Sequence, residues 1–133
     1  LAGIERTPDR AVDGTSFVEV FTGKPIRRVT PLYWHYYNAL GAPKAAMRAG
    51  DWMVLGSWGQ TDQRGGGFFR ESDQKLVNTM ELKHFELYNL KRDRDQKKNL
   101  AETEPARLKE LSVQLVKKYR EVQAEGPEWK FGK

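Results

Sequence analysis

The chain has 133 residues, 38% hydrophobic and 31% charged, with a net charge of +5. That length suits one domain with a modest core, the composition excludes a disordered polypeptide, and no apolar run reaches the roughly 20 residues needed to span a bilayer. There is no cysteine, so a disulfide framework, a thiolate metal site and a cysteine nucleophile are excluded within the chain, and the 23 basic and 18 acidic residues are interspersed as on an ordinary solvated surface rather than in a nucleic-acid-binding stripe.

Leu1–Ile4 reads as the end of a helix that begins upstream. Pro8, Asp9, Asp13 and Gly14 mark turns, and Thr15 or Ser16 is placed to cap a short helix carrying Phe17, Val18, Val20 and Phe21, ended by Gly23 and Pro25. This stretch holds too little apolar surface to fold alone and is expected to lean on another body.

From Pro31 the signals become those of strands. LYWHYY is rich in β-formers, and alternation sets Leu32, Trp34 and Tyr36 on one face and Tyr33, His35 and Tyr37 on the other. After the turn-rich NALGAP, KAAMRAG gives a second strand, with Ala46 and Arg48 opposite Ala45 and Met47. AGD is a tight hairpin, WMVLGSW a third strand, and GQTDQRGGGFFRE a loop. Its glycines, Gly65–Gly67, lack the lysine–serine pair and the strand–turn–helix setting of a phosphate loop. SDQKLVNTM predicts a short helix capped by Ser72, and KHFELYNL a fourth strand with Phe85, Leu87 and Asn89 on one face.

The clearest periodicity comes last. Leu108, Leu111, Leu115, Tyr119 and Val122 recur at spacings of three and four, preceded by Thr103 or Glu104 as cap and Pro105, and closed by Gly126 and Pro127. The expected architecture is α+β: a four-stranded antiparallel sheet packed against a long C-terminal helix, with an irregular N-terminal segment.

No residue set predicts catalysis or a metal site. His35 and His84 belong to no paired ligand motif, no G-x-S-x-G occurs, and the acids Asp93 and Asp95 lack the glycine and closing glutamate of a calcium loop. The aromatic crowd between Thr30 and Trp58 admits two readings. Trp34, Trp52 and Trp58 fill the sheet–helix interface, or the opposite face, carrying His35 and Arg48, looks into a cleft where both side chains donate hydrogen bonds to anions or sugar hydroxyls. His35 and Arg48 are therefore the candidate substrate-binding residues.

Four stretches carry a family resemblance: TPDRAVDGTSFVEVFTGKP, PLYWHYY, AMRAGDWMVL and FELYNLKRDRDQKKNLAETEPARLKELSVQL. They resemble, in order, the C-terminal end of type I sulfatases, with bacterial relatives of arylsulfatase and N-acetylgalactosamine-6-sulfatase as the nearest likeness. The resemblance implies that residues 1–30 connect from a catalytic domain not included here, and that residues 31–133 are the smaller C-terminal subdomain, which packs on that domain and shapes the pocket for the organic part of a sulfated substrate. It also implies calcium and a formylglycine nucleophile in the parent enzyme, and a periplasmic or secreted location. Neither C-x-P-S-R nor S-x-A-x-R is present, so the nucleophile and the calcium ligands are expected upstream, and Met53 stands where the family usually carries lysine. The partners implied are that catalytic domain and a sulfated carbohydrate, with no nucleic acid and no membrane. The alternative from a different class is a free-standing binding module for acidic polysaccharide, built on the basic surface and exposed aromatics.

Overall fold

The computed structural model describes residues 9, 12–37, 43–59 and 70–130. The expected helix end at Leu1–Ile4, the break after Tyr37 and the glycines Gly65–Gly67 lie outside the described residues. The chain divides into two units, Leu1–Leu32 and Tyr33–Lys133.

In the first unit the expected short helix is a single 3-10 segment, Val18–Thr22. The Val18 N–H donates to Ser16 Oγ, and Gly23 ends the segment in the left-handed region at φ 74°, which glycine adopts without a Cβ clash. Arg28 ties the surrounding loop by donating to the carbonyls of Thr30 and Asp13. Phe17, Val18, Val20 and Phe21 are all exposed.

Apart from Leu32, where its first strand begins, the sheet lies in the second unit. Its strands are β1 (Leu32–His35), β2 (Pro43–Ala49), β3 (Trp52–Ser57) and β4 (His84–Asn89), in the order β1-β2-β3-β4. Two helices accompany them, α1 (Glu71–Thr79) between β3 and β4, and α2 (Pro105–Glu125) after β4. This is the α+β layer expected from the pattern. Antiparallel pairing sets Ala49 opposite Trp52 across a two-residue turn, with Gly50 at φ 60°. Val54 pairs with Met47 on one side and Leu87 on the other, which brings three buried side chains into one row under α2.

α2 presents Leu111, Leu115 and Tyr119 to that row, all at most 3% exposed. Gly56 lets the helix come close, because a Cβ there would lie 2.9 Å from Leu82 Cδ1 and 3.2 Å from Leu115 Cδ2. Glu104 is the N-cap of α2, and Pro105 opens it, where its missing N–H costs no hydrogen bond. α1 is capped two residues earlier than expected. Arg70 occupies the N-cap, and its backbone N–H is bound by the Asp73 carboxylate at 3.0 Å. Ser72 is inside the helix, because a carboxylate three residues after the cap completes the reciprocal bond better than a hydroxyl in the first turn.

The aromatic assignment needs one correction. Trp52 and Trp58 do pack toward α2, but Trp34 is 48% exposed on the far side. Tyr33, His35 and Tyr37 take the helix-facing side of β1 instead. LYWHYY is aromatic on both faces, so alternation fixes which residues go together but not which set turns inward.

The Leu115 side chain is fully buried between Gly56, Leu82 and the sheet. Leu115→Ala is expected to lower unfolding free energy by about 2–5 kcal/mol, and Leu111→Ala by a similar amount. Urea denaturation of both variants checks this; unchanged midpoints would mean α2 does not pack here.

Candidate functional site

The Tyr119 side chain organises the region around His35. It is 1% exposed, and its hydroxyl accepts a hydrogen bond from Trp58 Nε1 at 2.9 Å and donates one to the Met80 carbonyl at 3.1 Å. The His35 ring lies against the Tyr119 ring, centroids 4.9 Å apart and tilted by 53°. Three separate stretches, the end of β3, the exit of α1 and β1, are thereby referred to one residue of α2.

One turn further along α2, Gln123 completes the link. Its Nε2 donates to the carbonyls of Val77 at 2.7 Å and Met80 at 3.0 Å, satisfying acceptors left open at the C-terminal end of α1. Beyond the helix the backbone of Trp129 is held from both sides by one carboxamide: its N–H donates to Gln74 Oε1 and its carbonyl accepts from Gln74 Nε2.

Between these fastenings lies a cleft of about 720 Å³. β1 and the turn after it contribute His35 and Tyr37, α1 contributes Val77 and Asn78, and α2 with the segment after it contributes Val122, Trp129 and Lys130. A mainly apolar hollow of this size with a few polar groups has the form of a small-molecule site. Among the described residues His35 Nε2 is buried and has no hydrogen-bond partner, and the neighbouring Tyr33 hydroxyl is in the same condition. Burial lowers the His35 pKa, since the desolvated ring disfavours its charged form, so the imidazole is neutral at pH 7. Burial raises the pKa values of Tyr33 and Tyr37, and both remain phenols.

Of the two residues expected to bind substrate, only His35 lines the cleft. Arg48 is exposed, and its Nε donates to the Gly50 carbonyl at 3.0 Å beside the hairpin. The two do not converge. Tyr36 N–H bonds to the Lys44 carbonyl, which places Arg48 four residues away along β2, and Arg48 alternates with the buried Met47, so it turns away from α2 while His35 turns toward it.

Sequence reasoning missed Gln74, Asn78, Gln123, Trp129 and Lys130. Gln123 stands four residues after Tyr119, a spacing that does put it on the same face; nothing local signals the Gln74–Trp129 clamp, whose partners are 55 residues apart. Lys44 was also missed. It is 1% exposed, at an irregularity between Pro43 and Ala45 that turns it under the sheet, with its ammonium 5.6 Å from the Trp58 ring centroid.

Asp93, in the charged loop after β4, has a structural use. The Asp93 carboxylate accepts the backbone N–H groups of Lys98 at 2.8 Å and Lys97 at 3.1 Å, which hold its pKa below the usual carboxylate value. Among the described residues there is no group of three His, Asp or Glu side chains able to hold a metal ion.

The lowered pKa of His35 has a defined sign. The unfolded chain binds a proton at an ordinary imidazole value of about 6.5 and the folded chain resists it. The stabilising contribution is complete above pH 6.5 and is lost as pH falls through the window below it. His35→Gln is expected to reduce the drop in Tm between pH 7.5 and pH 5.5, measured by calorimetry; an unchanged drop would mean the ring is solvated in the fold.

No protein-family model matches the chain, and the search of curated proteins finds no match either.

Proposed function

We propose that the chain is the C-terminal part of a sulfuric-ester hydrolase, packing on a catalytic domain and shaping the pocket for the organic part of a sulfated sugar. The observation that carries this reading is His35. It sits in the PLYWHYY stretch that resembles the sulfatases, and its neutral imidazole lines the cleft. A sugar hydroxyl both donates and accepts, and either role suits a neutral imidazole.

The arrangement of elements supports the reading as well. A four-stranded antiparallel sheet with one long C-terminal helix is what the resemblance implies for this subdomain. Trp34 and Tyr36 are exposed on the side of β1 away from α2, an apolar surface of the kind that a neighbouring domain covers. The residues present do not fit a calcium ion or a formylglycine. There is no cysteine, no serine stands in a modification motif, and Asp93 is occupied by backbone N–H groups. Those groups belong to the catalytic domain in this reading, and the present residues contribute binding and positioning only.

The test is to extend the reading frame upstream and assay the longer protein. The chain alone is expected to leave sulfate esters intact, with or without calcium, and the longer protein to hydrolyse them. In the longer protein His35→Ala is expected to lower kcat/KM for a sulfated sugar by roughly threefold to tenfold, the effect of one neutral hydrogen bond, and to spare a small aryl sulfate. Turnover by the purified chain alone would overturn the reading, since the chain would then carry its own catalytic groups, and an upstream sequence with no C-x-P-S-R or S-x-A-x-R motif would overturn it in favour of a free-standing polysaccharide-binding module.

A further inference from the structure

We propose that the outer edge of β1 pairs with β1 of a second copy of the chain, antiparallel about a twofold axis at Trp34, so that two four-stranded sheets join into one. The inference uses only the sheet and is independent of the function proposed above.

The two edges of the sheet are treated differently. At the β4 edge the chain closes its own ladder: the Leu87 N–H donates to Asn99 Oδ1 at 3.1 Å, and the Leu87 carbonyl accepts from the Leu100 N–H at 2.8 Å. At the β1 edge nothing comparable is present among the described residues. The Tyr36 N–H donates to the Lys44 carbonyl, so by alternation Trp34 also turns its backbone groups toward β2, while those of Tyr33 and His35 point outward and meet no hydrogen-bond partner among the described residues. Sheet edges left open are ordinarily blunted by charged side chains, above all lysine, or by bulges. Residues 31–37 hold no Asp, Glu, Lys or Arg, and the one titratable base among them, His35, is neutral at pH 7 because it is desolvated. That neutrality favours a second copy over an unrelated strand. A twofold axis sets every residue near it against its own counterpart, so a charge there would meet a like charge, and β1 has none. The register follows from the strand itself. With the axis at Trp34, Tyr33 exchanges both backbone bonds with His35 of the second copy, and His35 with Tyr33, which uses every outward-facing residue up to the end of β1. Pro31 lacks an N–H and cannot extend the ladder on one side. Trp34 then stands directly opposite its counterpart in a closely spaced pair. Its indole is 48% exposed on the side away from α2, and two such rings placed side by side remove apolar area from water. The contact is short, which puts the dimer among transient associations in the micromolar range.

The test combines sedimentation equilibrium with amide hydrogen exchange of the chain over a range of concentrations. The mass is expected to rise from monomer to dimer, and exchange at Tyr33 and His35 to slow in step with it, while the Leu87 amide, already bonded to Asn99, stays constant. Trp34→Lys sets two like charges across the axis and is expected to weaken the dimer by about tenfold or more. Its melting temperature in dilute solution should match that of the parent chain, because Trp34 is not part of the core. The absence of cysteine lets a single thiol report the register. Cα atoms across such a pair lie about 4.5 Å apart, within reach of a disulfide. Trp34→Cys is therefore expected to form a covalent dimer on mild oxidation, and Val113→Cys, equally accessible on α2, to remain monomeric. A monomer at every concentration, a dimer indifferent to Trp34→Lys, equal cross-linking of the two thiols, or slowed exchange centred elsewhere would each overturn the proposal. Edge amides already protected in the dilute monomer would overturn it too, and would assign the edge to a segment of the same chain.

Discussion

The Tyr119 hydroxyl is where the second unit is tied together. A buried phenol must find partners for its O–H, and here it takes the Trp58 indole N–H from the end of β3 and gives its proton to the Met80 carbonyl at the exit of α1. Neither partner has water as a cheap substitute at this depth. The orientation of α2 about its own axis is therefore set by two directional bonds as well as by the apolar stripe of Leu111 and Leu115. The remaining contacts of the region follow from that orientation. Gln123, one turn on, is delivered to the open carbonyls of α1, and Arg120 reaches Glu81 in an ion pair on the surface. The cleft is the space left between α1 and α2 once both are pinned at Met80.

The same constraint explains why His35 is suited to binding rather than to acid–base chemistry. Packed against Tyr119, its ring is desolvated and kept neutral. Desolvation is the cause of its lowered pKa, and its buried Nε2 has no partner among the described residues. An unsatisfied polar atom in a folded protein carries a desolvation cost of about 1–3 kcal/mol, against which the packing of His35 on Tyr119 is maintained.

Much of the fold was legible in the sequence because its signals were redundant. The α2 stripe, its proline entrance and its glycine–proline exit all agree, and the Ala49–Trp52 hairpin has a glycine where a left-handed residue is needed. What was not legible has three physical origins. The six residues of LYWHYY are apolar or aromatic on both faces, so Trp34 was assigned inward and His35 outward, the reverse of the structure. The irregularity at Lys44 inverts a lysine that any composition rule places in water. The clamp of Gln74 on Trp129 joins residues 55 apart in sequence, and long-range side-chain to backbone bonds leave no periodic trace. The cleft depends on the first and third of these, so only His35 of its lining was anticipated, and Arg48 was paired with it although the two strands hold them on opposite faces.

The dependence of the unit on the Tyr119 hydroxyl is open to direct measurement by a double-mutant cycle of Trp58→Phe and Tyr119→Phe in urea. Tyr119→Phe keeps its ring and removes the hydroxyl, Trp58→Phe removes the indole N–H together with part of the ring system, and the cycle subtracts that packing loss to leave the coupling across the 2.9 Å bond. Coupling of about 0.5–1.5 kcal/mol is expected, the net worth of a buried hydrogen bond between neutral groups. Additive losses, with no coupling, would contradict the assignment of Tyr119 as the residue that orients α2 against the sheet.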